Sequence, residues 1–300
     1  MSPQESTKVT KTLQLVSRST YVKEWLLQAL FFACAFLFVL AVALIFGFVG
    51  WKALPIFTEY GFWEFLSGTE WSVSSQHFGI LPLIAGSFLV TLGALALGTP
   101  LAVGTAVFLS DVASPRVRKF VRPAVELLAG IPSVVYGFFG IILLRALVAE
   151  FSGTLGFGAF TAWIVLAIMI VPTIAALSED ALRSIPEGIR EASYAMGATQ
   201  WQTIHKVVVP AAKIGIIDAI ILGMGRAIGE TMAVLMVVGN APVFPKGILA
   251  PLSTMTSQIV MDMPYAVGLH RTALFAMAAM LFVFSMLLVA SVRLLSRLRD

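Results

Sequence analysis

Six long apolar segments constrain the fold of this chain more than any other feature of its sequence. They occupy residues 25–51, 79–110, 123–149, 158–178, 214–239 and 271–292. About 20 apolar residues in a helix cross the hydrocarbon core of a bilayer. Inside that core every backbone polar group must be bonded within the protein, so such segments fold as helices. The sequence therefore predicts an all-α, polytopic protein with six transmembrane helices in a lipid bilayer.

Composition supports a membrane protein and excludes several other classes. Only 12% of the residues are charged, whereas a soluble domain has about 25%. The single cysteine, Cys34, allows no internal disulfide, and the three histidines share no helical spacing, so no metal site is expected. No basic face suggests a nucleic-acid partner.

The loops predict the orientation of the spans. Fifteen lysines and arginines lie in the N-terminal segment 1–24, in 111–122, in 179–213 and after residue 292, and only four lie in the alternate loops. Basic loops resist translocation, so both termini are expected to be cytoplasmic. The first span, 25–51, is too long for a cleaved signal. It is rich in Phe and Leu, which predicts a peripheral, lipid-facing helix.

Small residues and a break indicate how the spans pack. Gly130–Pro132 interrupts the third span, a break tolerated in a membrane only where protein or water satisfies the freed backbone groups. Glycines recur in the second and fifth spans, and small residues permit close helix approach in lipid. They are expected on buried helix faces: Gly93, Gly98, Ala102, Gly104, Gly215, Gly223, Gly225, Gly229 and Gly239.

The sequence contains no enzyme motif in a suitable structural context. The stretch GMGRAIG (223–229) lies inside a spanning segment and does not follow a strand, so it is not a dinucleotide-binding loop. No phosphate loop GxxxxGK[ST], nucleophile elbow or HExxH helix occurs. We expect a chain that is not an enzyme, binds no cofactor and does not itself bind ATP by the phosphate-loop route.

The polar segment 179–213 is patterned like a folded element. Ile185, Ile189, Ala192 and Ala195/Met196 recur at helical spacing, and Gly197 is suited to a turn. Two interpretations remain open for its apolar face. The helix either lies on the membrane interface and caps the bundle, or it docks into a groove of a partner.

Within this segment the residues resemble the EAA loop of ABC-importer permeases. That motif is Glu-Ala-Ala, three residues, Gly, nine residues, then Ile-x-Leu-Pro, and the matching positions here are Glu191, Ala192, Ser193, Gly197, Val207, Val209 and Pro210. The spacing fits throughout, with Ser for the second Ala and Val for Ile and Leu. The resemblance implies that residues 179–213, here called the coupling loop, seat a helix in a cleft of an ATP-hydrolysing subunit.

Three further stretches are similar to the PstC-type permeases of phosphate importers. They are ELLAGIPSVVYGFFG (126–140), LSEDALRSIPEGIREASYAMGAT (177–199) and GMGRAIGETMAV (223–234). The resemblance covers residues 75–295 and implies a MetI-like importer permease fold in the cell membrane of a prokaryote. The partners it implies are a homologous PstA-type permease, a PstB-type ATP-binding dimer and a PstS-type extracytoplasmic phosphate-binding protein.

Arg226 and Glu230 are charged residues near the middle of the fifth span. Spaced by four, they are expected to share one helix face and to pair. A buried arginine is costly in a membrane and normally faces a bundle interior or an aqueous path. A guanidinium suits phosphate oxygens, and the family's matching Arg and Glu are regarded as transport residues. The alternative is a pair that only fixes helix packing.

Two other acids complete the predicted pathway. Asp218, two turns before Arg226, is expected to line the path or a gate, and Glu126 either pairs with Arg122 or meets a cation on another helix. The favoured function is one permease subunit of an ATP-driven phosphate importer. A permease for sulfate or molybdate, an ion-gradient secondary transporter and a membrane scaffold remain alternatives, because an arginine suits each of these oxyanions.

Overall fold

The computed structural model describes the backbone of residues 18–297 and the side chains of residues 24–294. Apart from one short hairpin, the regular elements of this part of the chain are helical. The hairpin pairs β1 (Trp71–Ser72) with β2 (His77–Phe78) in antiparallel register. The first seven α-helices are α1 Arg18–Ile56, α2 Phe62–Ser67, α3 Leu81–Val107, α4 Pro115–Ala129, α5 Ser133–Phe139, α6 Arg145–Ser152 and α7 Ala159–Arg183. The remaining seven are α8 Glu187–Ala195, α9 Gln200–Thr203, α10 Val209–Ala211, α11 Lys213–Gly229, α12 Met232–Val237, α13 Met255–Asp262 and α14 Gly268–Arg297.

Short π-helical turns join several of these helices. They are Phe57–Gly61, Phe108–Val112, Gly140–Leu144 and Ile204–Val208. A π-helical turn inserts an extra residue into a helix and is often found at functional sites. The turn Phe108–Val112 ends the span that α3 begins, and it carries Asp111, an acid whose contacts are described below.

The chain divides into two compact units, residues 1–51 and 52–300. In the first unit, α1 is an apolar helix, and each side chain from residue 24 to residue 48 is exposed. The absence of a polar face in the sequence agrees with this, since an amphipathic helix is polar on one side and this one is apolar all round. The lipid-facing position predicted for it stays a prediction.

Within the described residues, five helical stretches are long and apolar enough to cross a membrane. They are Glu24–Ser67, Leu81–Val112, Ser133–Ser152, Ala159–Arg183 and Gly268–Leu294. A sixth span is formed if the bent pair Gln200–Ala211 and Lys213–Gly229, which meet at 68°, is taken as one crossing. The structure thus has five to six candidate spans, and the six predicted from the sequence agree with the larger number.

The break predicted at Gly130–Pro132 is confirmed, but the third candidate span begins after it, at Ser133, and not at residue 123 as predicted. Helix α4 ends at Ala129 and α5 begins at Ser133. The fifth span also differs from its prediction. The segment 214–239, expected to be one helix, stops at Gly229, where Glu230 takes an extended conformation (φ −67°, ψ 128°) before α12 begins. The Glu230 carboxylate accepts the N–H of Ala233, in the first turn of α12, at 3.1 Å.

The main core lies where α3 packs on α7, and glycine allows the close approach. The Trp163 ring fills the space where Gly93 has no side chain, and its Nε1 donates to the Leu89 carbonyl at 2.9 Å. Ile170 packs on Gly98 in the same way. Burying an aromatic ring against backbone in this way fixes the register of the two helices.

The prediction that small residues mark buried faces is confirmed for some positions and wrong for others. A side chain added at Gly93, Gly98, Gly215, Gly223 or Gly239 would meet a neighbouring residue, and Ala102 is buried. Nothing lies within 4 Å of the corresponding points at Gly104, Gly225 and Gly229. The wrong predictions have a simple cause. Glycine spacing reports backbone flexibility as well as close helix packing, and only the residue that faces each glycine decides which applies.

Candidate functional site

A groove of about 700 Å³ runs between α7, α11 and α14. Residues four apart on each of the three helices form its walls, so the groove follows the helix axes. Its wall residues include Thr173, Leu177 and Ala181 on α7, Asp218, Leu222 and Arg226 on α11, and Val289 and Arg293 on α14. We call this cavity the Arg226 groove. It brings two of the predicted pathway residues, Arg226 and Asp218, into one cavity.

Arg226 is half-buried and is held by neutral acceptors. Its Nη1 donates to the Thr173 hydroxyl at 3.1 Å and its Nη2 to the Ala129 carbonyl at 3.4 Å. Ala129 is the last residue of α4, so its carbonyl belongs to the negative end of a helix dipole. Within residues 24–294 no carboxylate oxygen forms an ion pair with this guanidinium. The cavity therefore holds a cation with unused donors.

The predicted pairing of Arg226 with Glu230 is wrong in this structure. The prediction assumed a continuous helix, in which residues four apart meet. Helix α11 ends at Gly229, so Glu230 lies past the helical turn, and its carboxylate bonds to the Ala233 N–H. The Glu230 carbonyl accepts from the Thr256 hydroxyl at 3.0 Å. The carboxylate and the carbonyl of Glu230 are thus both hydrogen-bonded to residues that follow the break.

Asp218 lies in the Arg226 groove, about 12 Å along the helix axis from Arg226 at 1.5 Å per residue. Its Oδ1 is 3.9 Å from Nη2 of Arg293 on α14, and each of the two side chains is more than half exposed. The predicted position of Asp218 along the cavity is consistent with this geometry. Arg293 was assigned only to the C-terminal flank by sequence, and the structure adds it to the groove.

Glu126 belongs to a different cluster. It pairs with Arg122 at 3.0 Å, as one of the two sequence interpretations expected, and is not part of the groove wall. Arg122 also contacts Asp180 at 2.9 Å and the fully buried Glu179 at 3.6 Å. The hydrogen bond to Glu126 is the main reason that the pKa of Arg122 is raised. Arg122 therefore ties α4 to α7, and Glu126 pairs with it from within α4.

The coupling loop folds as α8, a turn at Gly197, and then α9 and α10 joined by the π-helical turn Ile204–Val208. Gly197 has φ of +84°, a left-handed conformation that favours glycine. Thr199 begins α9 with a capping box to Gln202. The Ser193 hydroxyl lies 2.9 Å from that of Thr203, so the serine that departs from the motif has a hydroxyl partner on the next helix.

The apolar face of α8 is exposed. Ile189 is 40% and Met196 88% exposed, and Ala192, on the same face, is exposed as well. None of the residues of α8 is buried. Glu191 and Pro210 are exposed too, and Pro210 lies in the short helix α10. The predicted coupling residues are thus distributed over α8, the turn at Gly197 and α10, and the apolar face of α8 is free to meet another surface.

Sequence reasoning missed two contributors to the site. Thr173 follows Pro172 within an apolar span. Its hydroxyl, a polar group in an apolar segment, was the only sequence signal that it belongs to the site. The Ala129 carbonyl is a backbone group, so no side-chain pattern in the sequence indicates it. The predicted break after it does imply unpaired carbonyls. Arg226 connects both, because one planar guanidinium reaches two acceptors.

Several apolar spans, a broken helix that supplies free backbone acceptors and, among the described residues, an arginine without a carboxylate partner in a cavity define a multi-pass membrane permease. The chain belongs to the family described as the binding-protein-dependent transport system inner membrane component, whose model matches residues 98–299. The resemblance to phosphate-importer permeases noted in the sequence is thereby confirmed at the family level.

Curated relatives cover most of the chain. It is 41% identical over 275 residues to the probable ABC transporter permease protein YqgH of Bacillus subtilis, with 89% of each chain covered. It is 35% identical to the phosphate transport system permease protein PstC of Pasteurella multocida, with 88% of each covered. The PstC protein of Haemophilus influenzae is 32% identical and covers 93% of this chain and 96% of its own length.

Solved structures confirm the predicted MetI-like permease fold. An inward-facing structure of the MetNI methionine ABC transporter matches with a TM-score of 0.60 and 22% identity, over 77% of this chain and all of that chain. A bacterial ABC transporter involved in alginate import matches with a TM-score of 0.63 and 17% identity, over 92% and 96%. At these identities the likeness concerns the fold alone.

Proposed function

We propose that this chain is the PstC-type permease subunit of an ATP-driven phosphate importer and forms half of the translocation pathway. The observation that carries the proposal is the Arg226 guanidinium, which faces a groove without a carboxylate partner among the described side chains. The family membership and the PstC relatives support the substrate class.

The chemistry of the site suits a phosphate ion. Inorganic phosphate is an anion at neutral pH and does not enter hydrocarbon bare. A guanidinium has five N–H donors in a planar fork, and Arg226 uses two of them. The others remain for oxygens of the anion. Because burial strengthens each charge-assisted hydrogen bond, the half-buried Arg226 provides the main attraction deep in the groove.

A conduit must also release its ion. Thr173 and the Ala129 carbonyl compete with the anion for the same fork, and neutral acceptors weaken the site without abolishing its charge. Glu230 was expected to be the competitor. For that role its carboxylate has to leave the Ala233 N–H, and Glu230 as a transport residue remains a proposal.

The loop charges support an orientation with both termini in the cytoplasm. With that orientation, the end of the groove at Asp218 and Arg293 opens on the cytoplasmic side, and Arg226 lies deeper in the membrane. Attraction between the two arginines and an anion then draws it through, and the acid at the mouth limits retention. Localisation in the prokaryotic cell membrane follows from the same family.

The proposed assembly has two permeases, two ATP-binding subunits and an extracytoplasmic binding protein. This chain contributes no phosphate loop, so ATP is bound by the PstB-type partner. The exposed face of α8 is the proposed docking element, and a PstA-type permease completes the pathway. The PstS-type protein delivers phosphate on the opposite side of the membrane.

Ala192→Glu tests the docking face. A carboxylate in the centre of an apolar contact is desolvated without a partner, so we expect at least about a tenfold loss of ATPase subunit retained on purified permease, near 1.4 kcal/mol. Retention is measured by co-purification from membranes. Lys119→Gln on exposed α4 is the matched control and should retain the wild-type amount. Equal retention by both variants contradicts the docking role.

Thr173→Val tests the neutral partner of Arg226. The two side chains have nearly the same shape, and the substitution removes one hydrogen bond of about 1 kcal/mol. We expect phosphate uptake to change by about threefold to tenfold, with assembly unaffected. Thr105→Val is a suitable control, because the Thr105 hydroxyl bonds only within its own helix, to the Leu101 carbonyl. An unchanged uptake rate in Thr173→Val would show that the contact is incidental.

The decisive experiment is uptake of radiolabelled phosphate by vesicles that contain the reconstituted complex, with ATP supplied on the inner face. Uptake that depends on ATP and resists excess sulfate supports the proposal. Uptake blocked by sulfate or molybdate identifies another oxyanion permease. Uptake driven by an ion gradient without the ATPase identifies a secondary transporter and removes the proposed mechanism.

A further inference from the structure

Asp111 and Arg190 form an ion pair that is buried at the end of the bundle carrying the coupling loop. The exposed fractions of their side chains are 4% and 11%, and the Arg190 Nη1 donates to the Asp111 carboxylate. Asp111 lies in the π-helical turn that ends the second span, and Arg190 lies on α8. The pair therefore joins the coupling helix to a transmembrane span.

Two more bonds make this junction a three-way contact. The Arg190 Nη2 donates to the Leu182 carbonyl at 2.9 Å, in the last turn of α7. The Gln200 Nε2 of α9 donates to the Asp111 carbonyl at 2.9 Å. One guanidinium thus holds α8 against the ends of both α3 and α7, the two helices that form the main core.

Polar contacts matter here because packing contributes little to holding α8. None of the apolar side chains of α8 is buried, so apolar contacts within the described part of the chain contribute little to fixing the helix. The other charged group near Arg190 is Glu187, which is 3.9 Å away and 78% exposed. The second oxygen of Asp111 has no hydrogen-bond partner in the described part of the chain. Arg190 is therefore the main compensation for a buried carboxylate.

We propose that Arg190 is a positioning residue that transmits movement of α8 to α3 and α7. The inference rests on the proposed function, in which α8 docks on an ATPase. A docking helix that is not fixed to the spans moves on its own, so ATP hydrolysis then proceeds without a matching movement of the pathway. The EAA positions begin at Glu191, after Arg190, and Asp111 lies outside every stretch that carries the resemblance, so the resemblance assigns no role to this pair.

The test compares phosphate uptake with ATP hydrolysis in the reconstituted full complex. For Arg190→Gln we expect the phosphate moved per ATP hydrolysed to fall about tenfold, within the range of coupling free energies between sites. Asp111→Asn should give a similar loss. The double variant should be no worse than either single one, since members of one contact are not additive. Arg116→Gln, an exposed arginine at the same end, is the matched control.

A merely structural role predicts a different pattern. Thermal stability and the amount of assembled complex would fall, while the ratio of uptake to hydrolysis in the surviving complex stays at the wild-type value. That result, or additive losses in the double variant, overturns the inference. If Arg190→Gln does not assemble, Gln200→Ala replaces it, because this exposed residue loses only the bond to the Asp111 carbonyl. A loss of about twofold or more in the ratio is then expected, and an unchanged ratio overturns the inference.

A second readout separates this inference from the proposed function. A spin label is placed at Met196→Cys, which is 88% exposed, after Cys34→Ala removes the other thiol. Restricted label motion in the parent and faster motion in Arg190→Gln support the positioning role, and equal motion overturns it. This result does not depend on which anion is transported. A wild-type complex that moves no phosphate defeats the proposed function alone.

Discussion

Arg226→Gln is expected to abolish phosphate uptake while the complex still assembles. Loss of one partner of a desolvated charged contact costs about 3 kcal/mol or more, which is roughly a hundredfold in rate. Glutamine is chosen because its amide still donates hydrogen bonds. It can therefore retain a contact with the Thr173 hydroxyl or the Ala129 carbonyl, which the arginine makes in the native protein. The measurement is ATP-dependent uptake of labelled phosphate by vesicles.

Two further variants distinguish a transport role from a packing role. Arg226→Lys keeps the positive charge without the planar fork, so an intermediate loss is expected. Arg226→Met removes the charge and both donors, and a packing role predicts that only this variant lowers stability and assembly. Uptake within twofold of wild type in Arg226→Gln would contradict the transport role, since a charge-free pathway would then carry the anion equally well.

Gly93→Val is expected to prevent the packing of α3 on α7. The new side chain would occupy the volume of the Trp163 ring. Overpacking of a well-filled core costs about 1–3 kcal/mol and sometimes more, and here the obstacle is a rigid ring held by its bond to the Leu89 carbonyl. We expect a loss of about 3 kcal/mol and a fall in Tm of roughly 6–10 °C. The measurement is thermal unfolding of the purified chain in detergent.

The control and the rescue use the same helix. Gly104→Ala should be neutral or slightly stabilising, because the space beyond Gly104 is open and alanine favours helix by about 0.5–1 kcal/mol. Combining Gly93→Val with Trp163→Ala removes the obstacle. The loss of stability in the double variant should therefore be smaller than the sum of the two single-variant losses by about 1 kcal/mol or more. Equal Tm values for Gly93→Val and Gly104→Ala would mean that the ring does not set the helix separation.

Hydropathy and the positions of glycine residues predicted the spans, the break and the turn, because these properties depend on single helices and their ends. Six apolar segments predicted the spans, and Gly130–Pro132 predicted the break that the structure has between α4 and α5. The motif spacing located the turn at Gly197, where the backbone has positive φ. These features depend on residues near one another in the chain, so the sequence contains the information directly.

Contacts between distant segments were beyond the same reasoning. Thr173, Ala129 and Arg226 are 44 to 97 residues apart along the chain, and Asp111 is 79 residues from Arg190. The pairing of Arg226 with Glu230 failed because a helical rule was applied across a point where the helix ends. Charged side chains choose partners by three-dimensional distance, and a local break changes those distances completely.

The sequence by itself determined that this chain crosses a membrane several times, that the helical structure breaks at Gly130–Pro132 and that a motif-bearing loop follows the fourth span. Local backbone preference and the cost of burying polar groups in lipid decide those properties. Only the tertiary structure decided which acceptors hold Arg226 and how α8 is fixed to the bundle. Those contacts follow from helix packing, whose register depends on side-chain shape across the whole core.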